Sequence, residues 1–496
     1  MRIAQHRWSV IVIALLLTLA FVLPVSAQRN PQVGVQIQNK TESGIEITAQ
    51  SYPQNGGDPE TLGGGPKPVL AEGAYNYWIP GENLSPGSSA LVVSSTGEAG
   101  GIARTDFTAD NSAAIYSTTD PNQSVLVPLV LNDYAGQTSN ISVQNTDILN
   151  DIADVTLTLY ARGSSTPLTT LVDQTIANGT SRTWSLSDSV WGNLPDSGEN
   201  TTGFVGSMLI ESPSTSLVVQ SFIDNENDSG NITATTGFTG VAADSASNSV
   251  FCPLIRANYY GDTGISIVNN NGTAATVDIK FRADPASIEQ GEYDQQVSVD
   301  ANSSTIVFQG PTGDSRQAPT NLPAGTGQDG SNTALTNNGF YGTAELISTQ
   351  PILAVVNDTE FGASWTVLGQ STYNCSPAPV APQEAKTHYL PLLRRQHNGS
   401  QALTTGVQVF NITDSASTVT LSLSNSDGTP VANNPASKNM TAKGAANFIG
   451  FNWDVGPEWF GSGVIECTQD CIVFVSDEGY NSALVIDRAN YNGIVK

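Results

Sequence analysis

The sequence predicts an all-β protein: four tandem antiparallel β-sandwich domains, immunoglobulin-like in style, behind an N-terminal signal peptide. Three observations predict it. An alternating strand ending in Asn occurs four times, a Gly-led pair of strands follows it each time, and nothing past the N-terminus carries a helical hydrophobic period. Strict alternation of β-branched and polar residues marks a strand with one face in a core and the other in water.

The first 27 residues read as an export signal. Arg2 and Arg7 precede the apolar run Val10 to Leu23, Pro24 breaks it, and Val25-Ser26-Ala27 has the small-residue pattern of a cleavage site. The run is short for a membrane span of roughly 20 residues, so cleavage after Ala27 is expected, leaving no membrane span in the mature chain. Of the 496 residues, the mature part then keeps 17 basic against 45 acidic ones. So acidic a balance argues against nucleic acid or anionic membranes as partners, since both need basic patches to displace counterions. With 39% hydrophobic and 13% charged residues, the chain has the material for ordinary cores rather than that of a disordered polyanion.

The alternating strands are VGVQIQN ending at Asn39, ISVQN at Asn145, ISIVN at Asn269 and VQVFN at Asn411, spaced by 106, 124 and 142 residues. A second alternating strand follows each, from Ile45, Val155, Val277 and Val419. The Gly-led pairs begin at Gly87, Gly206, Gly342 and Gly463. A third marker opens three of the four copies: VLVPLV, VFCPLI and HYLPLL, whose Pro128, Pro253 and Pro391 suggest an edge strand, where a missing N–H is harmless. The first copy lacks this opening strand, which exposes a sheet edge that another chain can fill. The domains are expected at residues 28–120, 121–245, 246–375 with a long loop at about 310–339, and 387–496, with a proline-rich linker at 376–386. Propeller blades are shorter, at roughly 40 to 50 residues, so separate sandwiches in series are expected.

Four cysteines suit an oxidising compartment. Cys252 sits in the third opening strand and Cys375 just past that copy's last strand, so the repeat favours pairing them, and Cys467 with Cys471 across a turn. Acidic residues gather near the end of each copy. Asp224, Glu226 and Asp228 stand at alternate positions like a relaxed calcium loop, although Gly230 falls one place late for an EF-hand. Weaker equivalents are Asp106 and Asp110, Asn357 with Asp358 and Glu360, and Asp477 with Glu478; a solvated turn is the plainer reading of all of them. Trp78, Trp191, Trp453 and Trp459 precede the Gly-led strands, where such rings either plug the end of a sandwich or stack on sugars.

No catalytic motif is present, and His388 and His397 are the only histidines past the signal. N-x-S/T tripeptides are frequent, including those at Asn39, Asn140, Asn231 and Asn411. Composition and loop style resemble those of bacterial surface-repeat proteins as a class. The expectation is a secreted or cell-surface structural or adhesive protein, not an enzyme, with no cofactor beyond a structural calcium. Its partners are other copies of itself or cell-surface components. The alternative is an extracellular glycan-binding accessory protein that uses the Trp-bearing loops.

Overall fold

The computed structural model describes residues 15–20, 31–53, 58–79, 88–107, 112–197, 203–227, 229–259, 261–284, 287, 290–309, 322, 339–361, 367–379, 386–397, 402–432, 434, 436–481 and 484–496. Among them the fold is all-β, with short 3-10 turns and no α-helix. Where alternation is strict, one face is buried and the other exposed. In Ala275–Ala283, Val277, Ile279 and Phe281 are buried while Thr276, Asp278 and Lys280 are exposed. The opening strands behave differently. Ser124–Asn132 and Thr387–Arg395 are buried on both faces along their length, which accounts for their unbroken apolar runs.

One arrangement of antiparallel sheets recurs along the chain. In the second segment, residues 124–242, a five-stranded sheet runs Pro167–Ile176, Ile152–Ala161, Phe204–Glu211, Ser124–Asn132, Val241–Ala242. Its four-stranded companion runs Ser181–Ser185, Gln137–Asn145, Leu217–Glu226, Ile232–Thr239. The fourth segment, 387–495, repeats both orders, its inner sheet ending on Cys471–Asn481 and Leu484–Asn492. In the third, 247–377, the long strand Phe340–Phe361 serves both sheets and joins them. The first segment has Pro31–Asn39 between Ala74–Trp78 and Ala99–Phe107, with Ser112–Ser117 at the end. Its other sheet carries Leu15–Ala20 beside Ser88–Ser95, in the place that opening strands hold elsewhere.

The marker asparagines lock each strand to the turn after it. Asn269 is fully buried; its Nδ2 donates to the carbonyls of Thr273, Val299 and Asp300 at 2.8, 3.2 and 3.1 Å, and its Oδ1 accepts the Asn271 N–H at 3.1 Å. Asn39, Asn145 and Asn411 do the same with their own turns. A side-chain amide offers two N–H donors together with an acceptor oxygen, so neither Asp nor Leu substitutes.

Two expectations are corrected. The prolines do not mark edges: the opening strands pair on both sides, and each Pro sits where the ladder slips, between Val127 and Val130, Cys252 and Ile255, and Leu390 and Leu393. The slip frees backbone groups, and a tyrosine takes them up. Tyr491 donates to the Leu392 carbonyl at 2.6 Å and accepts the Leu392 N–H at 3.4 Å, and Tyr373 pairs likewise with Leu254. Nor are the segments merely strung in series. Ser112–Ser117 lies beside both Ile232–Thr239 and Leu484–Asn492, and Val367–Asn374 lies beside the same two strands, so the four final strands close a ring. Thr239 Oγ1 donates to Ser117 O at 3.1 Å, Asn374 Nδ2 to Thr239 O at 2.7 Å, and Asn492 Nδ2 to Asn374 O at 2.7 Å. The buried cores run across these junctions, with Val355 joining the second segment's core and Phe474 the third's.

Of the proline-rich stretch, Ser376–Pro377 pairs as a strand with Val250 and Phe251, while residues 380–385 lie outside the described residues. The long loop at 310–339 also lies outside them apart from Leu322, buried in the third core, and Gly339.

The Asn lock predicts a measurable loss. Asn269→Asp keeps the shape but turns the donor toward three carbonyls into an acceptor, and urea unfolding is expected to show about 2 to 3 kcal/mol of destabilisation.

Candidate functional site

The charged groups that matter lie inside, around the ring of final strands. Asp477 is fully buried and accepts from Arg394 Nη2 at 2.8 Å, from Arg104 Nη1 at 2.7 Å and from Thr405 Oγ1 at 3.0 Å. Arg394 belongs to the same segment, whereas Arg104 reaches across from the first and also pairs with Asp106 at 2.6 Å. Asp358 is held by Arg256 through Nε at 2.9 Å and through Nη2. Arg488, from the final strand of the fourth segment, meets Asp358 at 3.2 Å, Glu360 at 2.9 Å and Glu478 at 3.1 Å. Among the described residues four guanidinium groups thus face five carboxylates, bridging first to fourth and fourth to third.

Burial opposes ionisation of these carboxylates. It pushes Glu360 up to about 8, against the pull of Arg256 and with help from Glu478 and Asp358. Asp358 is raised by the same burial, again opposed by Arg256.

The ion pair is one solution to packing that corner and not the only one. In the second segment the register puts Leu131 where Arg256 and Arg394 stand, and Ile223 where Asp358 and Asp477 stand. Both are buried in that segment's core. Exchange of a buried ion pair for apolar side chains is near neutral in many proteins, so the charges carry orientation more than bulk stability. The four arginines escaped the sequence reading. The available signal was Pro-x-x-Arg at Pro253 to Arg256 and Pro391 to Arg394, present in two copies only.

The acidic residues singled out in the sequence fall out differently from one another. Asp224 is buried in a strand, where its carboxylate accepts from Asn140 Nδ2 at 3.0 Å and Thr235 Oγ1 at 2.6 Å. Glu226 is exposed at the strand end, and Asp228 and Asp110 lie outside the described residues. Asp358, Glu360 and Asp477 are strand residues buried against arginine, not turn residues. Asn357 hydrogen-bonds across to Gln137 of the second segment at 3.3 Å. No group of three or more His, Cys, Asp or Glu poised for a metal occurs among the described residues.

The tryptophans do not converge. Trp191 is buried in the second core with Nε1 on Ser185 O at 2.8 Å. Trp453 is buried in the fourth core, edge to face with Trp459 at 5.9 Å, and Trp459 donates to Asn425 Oδ1 at 3.0 Å. Trp78 alone of the four is open, at 43% exposure. His388 is buried with Nε2 2.9 Å from Cys471 O, and the ring of His397 meets that of Phe460 edge-on at 5.0 Å. The cysteines form two disulfides, Cys252–Cys375 and Cys467–Cys471. Two disulfides are compatible with an extracellular location. No helix among the described residues is long and apolar enough to cross a membrane.

No protein-family model matches this chain, and no curated protein does. Among solved structures it is similar to Thermotoga maritima 1070, at 10% identity and a TM-score of 0.20, over 23% of this chain and 97% of that one. It is also similar to dimeric latent PorU from Porphyromonas gingivalis, at 7% identity and a TM-score of 0.13, over 79% of this chain and 31% of that one. A third similarity is to a GH78 family rhamnosidase of Bacillus sp. GL1, at 10% identity and a TM-score of 0.11, over 99% of this chain and 55% of that one. Scores this low tie none of these proteins' activities to this chain.

Two predictions follow from the charge network. Arg488→Met removes the donor shared by Asp358, Glu360 and Glu478 and is expected to lower stability by about 3 to 5 kcal/mol in urea unfolding, with partial recovery when Glu360→Leu is added. The second concerns pH. A carboxyl raised to about 8 in the folded state holds a proton that the unfolded chain gives up near its ordinary value. Its contribution is therefore complete below about pH 4.5 and is lost as pH rises through 8. Urea midpoints from pH 5 to 9 should fall less steeply in Glu360→Gln than in the unaltered protein.

Proposed function

We propose that this chain is an exported, non-enzymatic structural or adhesive protein whose four sandwich domains close into one rigid ring. The observation that carries the reading is the contact of each final strand with two others, including the return from the fourth segment to the first. Gln38 Nε2 donates to Gly463 O at 3.1 Å and Tyr389 OH to Lys40 O at 2.9 Å across that return junction, beside the Arg104–Asp477 pair. Contacts of this kind hold the segments against one another among the described residues. Buried charged pairs such as Arg104–Asp477 and Arg488–Asp358 hold segments together, and Trp191 and Trp453 belong to buried cores.

The functional surface in this reading is the outside of the ring. The outer sheets end on strands with exposed faces: Pro167–Ile176, Glu292–Val299 and Ala436–Met440. Each copy of such a ring presents a sheet edge on three of its segments, which suits a coat or stalk component contacting copies of itself or other surface molecules. The excess of acidic residues keeps such surfaces apart until a specific contact forms. Both disulfides support a place outside the cell.

Small-angle X-ray scattering tests the closure. A compact body of this length has a radius of gyration of about 23 Å. A value near that is expected for the purified protein, and one approaching twice as large would mean an extended string of domains.

A further inference from the structure

The apolar N-terminal run and the strand that the first copy lacks meet in one place. Leu15–Ala20 lies antiparallel to Ser88–Ser95, with Leu15 opposite Ser95 and Ala20 opposite Ala90. It runs alongside Gln137–Asn145 and Leu217–Glu226 of the second segment. The other three opening strands have the same double setting, with one face on their own core and the other on the next segment. Leu126 packs with Val268 and Leu353 of the third segment, and Phe251 with Phe410, Ile412 and Ile472 of the fourth.

Removal of a signal peptide after Ala27 takes Leu15–Ala20 away and opens this place. What remains is a groove between the first and second segments. One side is the hydrogen-bonding edge of Ser88–Ser95, whose Leu91 and Val93 belong to the first core. The groove continues into the junction formed by Tyr52, Ala90 and Val92 against Ile148. The facing wall carries an unmet donor. Ser266 Oγ donates to Pro128 O, at the slip in the second segment's opening strand, at 2.8 Å. Its counterpart Ser142, likewise three residues before the marker Asn, is fully buried and its hydroxyl has no partner.

We infer that the processed protein has a strand-acceptor site in this groove. It takes, antiparallel to Ser88–Ser95, an extended and continuously apolar segment from a different exported polypeptide. The segment is six to nine residues long, the lengths of Leu15–Ala20 and Ser124–Asn132. It is apolar throughout rather than alternating, because opening strands are covered on both faces, as Ser124–Asn132 is. An unpaired edge of this kind accepts main-chain hydrogen bonds from an added strand. A second copy is not the donor. Beyond Ala27 the chain begins Gln28-Arg29-Asn30-Pro31, its three apolar opening strands are already paired, and the 310–339 insertion is polar. The inference rests on the export processing assumed in the proposed function.

The test uses the protein recovered after export, with its N-terminus read by intact mass. The probe is a fluorescent synthetic peptide, Ser-Val-Leu-Val-Pro-Leu-Val-Leu-Asn with a solubilising Lys-Lys tail. The control peptide carries Lys in place of its third and seventh residues. Expected are an N-terminus at Gln28, saturable 1:1 binding of the probe but not the control, a raised Tm, and slowed hydrogen exchange at residues 88–95. A second protein carries the same nonapeptide joined to Gln28 through a flexible Gly/Ser linker, and it should no longer bind free probe. Retention of residues 15–20 in the exported protein would overturn the inference, since the groove is then filled in cis. So would the absence of saturable binding, or undiminished binding by the fused protein. The radius of gyration of the same sample reads the closed ring separately, so failure of either idea is distinguishable.

Discussion

Four strands from four distant parts of the chain each lie beside two of the others, and the buried charged groups are gathered around that junction. A final strand in this position has its sheet on one side and two other final strands close by, with little room for water to satisfy its side chains. The protein meets the difficulty in two ways. Around the second segment it uses neutral groups: the Thr239 hydroxyl and the Asn374 amide on neighbouring carbonyls, and Tyr116 edge-on to Phe222 at 4.7 Å. Around the fourth it uses guanidinium groups clamped between buried carboxylates. The neutral contacts are short-range and forgiving, whereas the charged ones demand good geometry because an unpaired charge there is costly.

This asymmetry makes the return junction the most exacting part of the assembly. Covalent connection already holds the second segment near the first, the third near the second and the fourth near the third. Nothing covalent brings the fourth back to the first. There Arg104 and Asp477, 373 residues apart, meet in a buried pair, and Tyr389 reaches the carbonyl of Lys40. A directional interaction sits where the chain itself imposes no proximity.

Local and non-local features differ in how far the sequence discloses them. The marker asparagines, the alternating strands and the pairing of Cys252 with Cys375 were legible, because each is declared within a strand or by its place in a repeat. The role of the prolines was misjudged. Pro253 looks like an edge residue until the hydroxyl of Tyr373, 120 residues later, is seen to serve the backbone beside it. Asp358 and Asp477 looked like turn carboxylates because the Asn, Gly and Glu around them are turn chemistry. Their arginine partners come from other strands and, for Arg104 and Arg488, from other segments. Closure of the ring was hidden for the same reason: the bonds across it join residues 122, 135 and 118 positions apart.

The asparagine locks bear on modification of the chain. Asn39 and Asn411 each head an N-x-T tripeptide, yet both side chains are fully buried, with the amide nitrogen already donating to turn carbonyls. Asn140, before Ile and Ser, is likewise engaged by Asp224. A transferase meeting the folded protein would find those nitrogens sheltered, while Asn231 stands exposed. In a host that attaches sugars during synthesis, a glycan on Asn39 or Asn411 would prevent its turn from closing. Expression in such a host would therefore select between two populations, one unmodified at these residues and folded, the other glycosylated there and kept from its native state.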